Sequence, residues 1–339
     1  MHPPVQSQRR HAMLVIGALL LCAVASLLFS GMTGSIAVPL AEMPDALRQL
    51  AHGESSLAAS LLELRAGRAL TAFVTGGALA LAGVMMQALL RNPLADPYVL
   101  GISAGASVGA LLALLLMASA IVVDMAALAG AVAVSMLLYL LARRDLRSGL
   151  AAEGGTSMLL LTGVILSSAC MALVTLMLSI APEGRLRSMI FWMIGDLAGA
   201  PLRLAPWVVL GAALLYALRS ARAMNVVALH AEAAATLGIR VGSLRKGLFF
   251  VSGVLTASAV TSAGSVGFVG LIVPHACRFA FGPDHRVLIP AAVLVGGSFL
   301  VLCDTLARTI IAPQQLPVGA ITAIIGAPVF LYQLHRLRR

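Results

Sequence analysis

The chain has 339 residues, 60% of them hydrophobic and only 11% charged, with a mean hydropathy of +1.00. Soluble domains carry roughly a quarter charged residues, so the composition excludes that class and indicates a single membrane domain over residues 1–339. The net charge of +10 does not indicate a nucleic-acid partner, because the basic residues sit between apolar runs rather than in a patch with aromatics.

Residues 1–11 are polar, contain Arg9 and Arg10, and read as a cytoplasmic tail. Ala12–Ser30 is the first apolar run. Its arginine pair and the small residues near Ala37 resemble a signal peptide, but the charge-free stretch reaches Ala41, which favours an uncleaved first span. Glu42–Leu64 reads as the longest polar loop. Two charge-free runs follow, Ala69–Leu90 and Pro97–Val123, separated by Arg91-Asn92-Pro93-Leu94-Ala95-Asp96. Each run exceeds the roughly 20 apolar residues that cross a bilayer, and the prolines break the helix between them. Gly101, Gly105 and Gly109 recur at a spacing of four, which predicts one close-packing helix face.

The remaining spans read as Ser119–Ala142, Ser157–Leu178, Leu204–Leu218, Gly247–Ala263, Ser265–Ala280, Val287–Cys303 and Pro317–Leu334. With the first span and a division of the second long run near Leu116, ten spans are expected. Gly247–Cys277, 31 residues, is too long for one span, and Gly264 and Gly267 predict a tight turn inside it. Residues 184–200 are too short and too charged to span; Trp192 between Arg187 and Asp196 predicts a short helix at the outer interface, with lining of a substrate funnel as the sharper reading. Residues 221–242 predict a cytoplasmic, alanine-rich helix stopped by Gly238, read equally as an ordinary loop helix or as one that docks into a partner's groove. With both termini inside, 16 of the 23 Lys and Arg residues fall on the cytoplasmic side, the sign that the positive-inside rule requires.

The chemistry-bearing residues do not suggest an enzyme. The single lysine, Lys246, stands in no nucleotide-binding loop, so ATP hydrolysis would belong to a partner. Cys22, Cys170, Cys277 and Cys303 stand singly in apolar runs and read as buried small hydrophobes, not metal ligands. His275 has no second ligand at helical spacing and reads as a satisfied helix-end histidine. Asp124, Asp304 and Arg308 fall at span ends, where solvated charges are expected; a secondary carrier working alone would bury ionisable groups mid-span.

Five motifs in order carry a resemblance over residues 65–334: NPLADPYVLGISAGASVGA, FWMIGDLAGA, HAEAAATLG, GFVGLIVPHACRFAFGPDHR and DTLARTIIAPQQLPVGAITAIIGAPVFL. The chain resembles the permease subunits of bacterial ATP-binding-cassette importers for iron chelates and cobalamin. The resemblance implies an all-α integral membrane protein with the type II importer permease fold and about ten transmembrane helices. It also implies a homodimer in the inner membrane, two cytoplasmic ATPase subunits and a periplasmic substrate-binding protein. No cofactor is implied for this chain; ATP is used by the partner. The expected cargo is an iron chelate, ferric siderophore or haem, with cobalamin as the alternative.

Carried over residue by residue, the resemblance assigns docking of the binding protein to Arg65, Arg68 and Arg308. Here Arg65-Ala66-Gly67-Arg68 replaces the family's arginine-Leu-Pro-arginine. Coupling to the ATPase falls to Ala228, His230, Ala231, Glu232, Ala233, Ala234, Leu237 and Gly238. Thr156 and Ser157 fall at a cytoplasmic gate, where a helix N-cap is an equally good reading.

Overall fold

The computed structural model describes residues 5–36, 38–53, 56–147, 153–229, 234 and 236–337. These residues form twelve α-helices and two short 3-10 turns, with no strand among them. In chain order the helices are α1 Val5–Met32, α2 Met43–His52, α3 Leu57–Leu90, α4 Ile102–Leu115, α5 Ala120–Arg147 and α6 Glu153–Ile180. They continue as α7 Glu183–Ile194, α8 Leu204–Leu229, α9 Val241–Ala263, α10 Val269–Phe281, α11 His285–Thr309 and α12 Val318–Leu337. Seven contain stretches long and apolar enough to cross a membrane, and α4, α10 and α12 are shorter apolar helices. Together these ten coincide with the ten runs expected from hydropathy.

The bundle is built around α3. Its apolar window is 89% buried, against 11% for α1 and 22% for α5, α6 and α8, so it is the axis on which α11, α9, α10, α1 and α8 pack. Small residues make this possible. A Cβ at Gly296 would lie 2.5 Å from the Ala80 methyl and 2.7 Å from the Gly76 carbonyl, so α3 and α11 cross backbone to backbone. Apolar side chains gain little by leaving lipid for another helix, and such close van der Waals contact is what holds membrane helices together.

Three expected segments differ in form. The polar loop over 42–64 holds α2 and the first turns of α3. Pro44 and Asp45 start α2, left-handed Gly53 (φ 71°) ends it, and the Ser56 hydroxyl caps α3 by accepting from Ala59 N at 3.2 Å. The N-terminal helix already includes Val5–His11 of the expected tail. The alanine-rich stretch is not one independent helix either: 221–229 continue α8, and Gly238 (φ 78°) lies in a turn before α9. In the first two, polar residues hid the helical turns, because capping and propensity do not depend on hydrophobicity.

α4 and α10, 14 and 13 residues long, are about 20 Å in length and too short for a hydrocarbon core of about 30 Å. Both begin part-way along the bundle. Gly270 of α10 lies against the Leu79 carbonyl of α3 and the Pro97 ring, and Ser103 of α4 meets Ser265 hydroxyl to hydroxyl at 2.7 Å. The ends of α7 and α9 and the start of α12 meet beside them. Asp196 N donates to Ala263 O (2.9 Å), Ser265 N to Trp192 O (3.4 Å) and Gly319 N to Gly195 O (3.2 Å). Broken helices persist inside a bundle only where the freed backbone groups find such partners. The expected turn after Ala263 is this junction, running through Gly264 (φ 68°) to Phe268 (φ 71°), a non-glycine residue in the left-handed region.

Candidate functional site

One end of the bundle gathers the three arginines assigned to docking. Arg68 on α3 forms a forked pair with Asp304 on α11: Nη2 donates to Oδ1 at 2.8 Å and Nε lies 3.0 Å from both oxygens. Its Nη1 donates to Gln315 at 2.7 Å. Arg308, one turn beyond Asp304, reaches Asp304 Oδ2 with Nε at 3.5 Å and donates from Nη2 to the Ser30 carbonyl (2.6 Å) and hydroxyl (2.7 Å) of α1. Arg65, one turn from Arg68, donates to the Ile36 carbonyl; its Nη1 is buried without a hydrogen-bond partner. Gly34 leaves room for that guanidinium, since a Cβ there would come within 2.7 Å of it.

Asp304 is 0% exposed and Arg308 4% exposed, so their expectation as solvated span-end charges is overturned. The four-residue spacing on α11 aligns the pair, and the close α3–α11 crossing delivers Arg68 from 236 positions away, a contact that no spacing within one helix displays. Asp124 is also paired, accepting from Arg203 Nη2 at 2.5 Å. Three guanidiniums against one carboxylate leave a surplus of two positive charges. They line a cavity of about 570 Å³ with Gln315 and the Gly199–Pro201 turn that follows α7. Chemically, the arrangement suits carboxylate groups: a guanidinium fork matches carboxylate geometry, and surplus charge in a concave site steers acidic groups.

The glycines assigned to packing divide between two neighbours. Gly105 and Gly109 face Gly130 and Ala126 of α5 so closely that a Cβ would collide with the backbone carbonyl opposite. Gly101 precedes α4 in a left-handed conformation (φ 80°) and faces both Val134 of α5 and Gly163 and Ser167 of α6. α7, the expected interfacial helix, covers residues 183–194. Arg185 donates to the Leu114 carbonyl at 2.7 Å, Arg187 lies 5.2 Å from the Phe191 ring centroid, and Trp192 ends at the broken-helix junction.

At the opposite end, Ala234 is fully buried against Val227 and Val241, whereas Ala228, Leu237 and Gly238 are exposed. His230, Ala231, Glu232 and Ala233 lie outside the described residues. Thr156 and Ser157 lie inside α6 as its fourth and fifth described residues, so neither occupies the N-cap position.

A polar clamp not found in the sequence joins this end together. Asn225 of α8 accepts from His285 N (2.9 Å), bonds His285 Nδ1 (2.7 Å) and donates to Asp284 Oδ1 (2.7 Å). Burial pushes the Asp284 carboxyl up, but hydrogen bonds from Arg286 N and Asn225 and the nearby positive charges outweigh it and hold it below its ordinary value. His275 is not at a helix end. It lies inside α10, its Nδ1 unbonded and its ring edge-on to Phe330 at 6.5 Å. Among the cysteines, Cys277 and Cys303 are buried, Cys170 is half-buried and Cys22 is exposed.

With this geometry described, comparison with known proteins is specific. Residues 19–336 match the model of the FecCD transport family. The cobalamin import system permease protein BtuC of Halobacterium salinarum is 41% identical over 277 residues, 80% of this chain and 72% of the relative. The vitamin B12 import system permease protein BtuC of Escherichia coli is 38% identical over 282 residues, 82% of this chain and 84% of the relative. Among solved structures, a metal-chelate type ABC transporter in an inward-facing conformation superposes with a TM-score of 0.80 at 29% identity, covering 96% of this chain and 99% of that one.

Proposed function

The chain belongs to the FecCD transport family, and on that premise we propose that its cargo is cobalamin. The family and its relatives make the chain the membrane permease subunit of a type II ABC importer, a multi-pass inner-membrane component that works with ATPase and substrate-binding partners and is not itself an enzyme. The observation that supports the cargo is the identity of 38–41% with permeases described as cobalamin and vitamin B12 importers. This moves cobalamin ahead of the iron chelate favoured from the sequence. The second reading, an iron chelate, is supported by the metal-chelate type neighbour. In proteoliposomes holding the chain with its ATPase and binding protein, labelled cobalamin, ferric siderophore and haem are offered in parallel, with and without ATP. Cobalamin accumulating only with ATP supports the proposal; accumulation of haem or siderophore instead overturns it. Uptake without ATPase restores the stand-alone carrier.

The finer roles belong to the same proposal. Two copies form a homodimer whose shared axis is the path, with both termini cytoplasmic. Arg65, Arg68 and Arg308 receive carboxylates of the binding protein at the outer end. The segment from Ala228 to Gly238 transmits ATPase movement, and Thr156 and Ser157 stand at the inner gate. No cofactor is bound by this chain, and the ATP is consumed by its partner. The surplus charge of the arginine cluster supports docking, because only two of its three guanidiniums share Asp304.

A further inference from the structure

The second large cavity has no part in these roles. It is a groove of about 460 Å³ between α5, α8 and α9, running from Asp124 and Arg203 at one end toward Met136 and Phe250. Its walls are mostly hydrocarbon, even at several polar residues. The hydroxyls of Ser135, Thr261 and Ser262 donate to carbonyls of their own helices, Ala131 (2.7 Å), Ala257 (3.0 Å) and Ser258 (2.8 Å). Apart from Ser258 and the charged pair at one mouth, a cargo rich in hydrogen-bonding groups finds few partners there. Its rim is open, with Met125, Val132, Met136 and Val254 each about half exposed.

The charges stand at one mouth only. Asp124 and Arg203 pair at 2.5 Å, with side chains 19% and 38% exposed, and the only hydrogen bond of Arg203 among the described residues runs from Nη2. Its other nitrogens are left for an anion, and the second oxygen of Asp124 for a cation. Asp124 and Arg203 share a smaller cavity with Gly199, Ala200 and Pro201, which also line the arginine cavity, so this mouth lies toward the docking end. The twelve residue steps from Asp124 to Met136 on α5 rise about 18 Å, close to the roughly 15 Å hydrocarbon depth of one leaflet.

We propose that this groove binds one acyl chain of a zwitterionic aminophospholipid, with the phosphate on Arg203 and the ammonium beside Asp124. Arginine is suited to the phosphate by its fork of donors, and an ion pair presenting both signs matches a headgroup carrying both. The proposal rests on the membrane placement of the chain and is independent of which cargo it carries.

The test uses the full-length chain in its importer complex, delipidated in mild detergent, offered phosphatidylethanolamine or phosphatidylglycerol vesicles, and weighed by native mass spectrometry. About one phosphatidylethanolamine per chain is expected to persist, and a diazirine-bearing phosphatidylethanolamine to label peptides of α5 and α9 at the groove. Gly253→Phe, at a position where an added Cβ makes only ordinary contacts at 3.6 Å and beyond, fills the groove and abolishes retention. Arg203→Gln lowers retention roughly tenfold, about what a hydrogen bond to a charged group is worth. Label spread evenly over all exposed helices, or retention in Gly253→Phe equal to wild type, overturns the site. Equal retention of phosphatidylglycerol overturns the headgroup assignment. A cysteine placed at Val254 that cross-links to another polypeptide shows a protein occupant and overturns the lipid.

Discussion

A carboxylate without exposed surface costs several kcal/mol to desolvate unless cations and hydrogen bonds surround it, and Asp304 meets that condition through Arg68 and Arg308. Asp304→Asn leaves the buried Arg308 and the half-buried Arg68 guanidiniums unneutralised. The expected loss is about 3–5 kcal/mol, read as a lowered midpoint of thermal unfolding in detergent. A midpoint within a degree of wild type would show that the pair contributes nothing. The proposed docking role can be separated from this fold-holding role at Arg65, which has no acidic partner among the described residues. Arg65→Ala is expected to weaken capture of the binding protein while leaving the unfolding midpoint near wild type. Unchanged capture would remove Arg65 from the docking set. Reversing both Arg68 and Arg308 would be less informative, because each also holds Asp304.

At the scale of elements, the helices approach one another where side chains are smallest. Gly109 of α4 presses on the Ala126 carbonyl of α5, and Gly105 meets Gly130 one turn away. Gly109→Leu must separate the two helices, and overpacking of this kind costs about 1–3 kcal/mol. Gly17→Leu on α1, where nothing lies within 4 Å of the added Cβ, is the matched control and should leave the unfolding midpoint unchanged. Equal midpoints for the two variants would argue that the α4–α5 crossing relaxes freely. The half-length helices α4 and α10 and the junction at Gly195, Gly264 and Gly319 give the bundle a broken interior, so its continuous support comes from α3 and α11.

For the whole molecule, orientation follows from charge. With both termini set in the cytoplasm, sixteen basic residues fall inside against seven outside, the sign the positive-inside rule predicts. A tag after Arg339 should therefore resist a membrane-impermeant label applied to intact spheroplasts and react after lysis; labelling before lysis would invert the bundle and the docking face with it. Much of this architecture was legible in the chain. Hydropathy located the ten apolar helices, the spacing of Gly105 and Gly109 marked a close crossing that Gly101, outside α4, does not share, and the five motifs indicated the family, because each depends on residues near in sequence. Asp304 and Arg308 were misread because burial is decided by neighbours: their partners Arg68 and Ser30 come from α3 and α1 and meet them only when the helices pack. The Asn225–His285 clamp, the junction of broken helices and the groove ending at Asp124 and Arg203 were invisible for the same reason. The sequence by itself determined that this protein is a helical membrane permease and which segments cross, since bilayer insertion reads local hydrophobicity. The tertiary structure alone decided which charges are shared and where cavities open, since those depend on contacts between helices far apart in the chain.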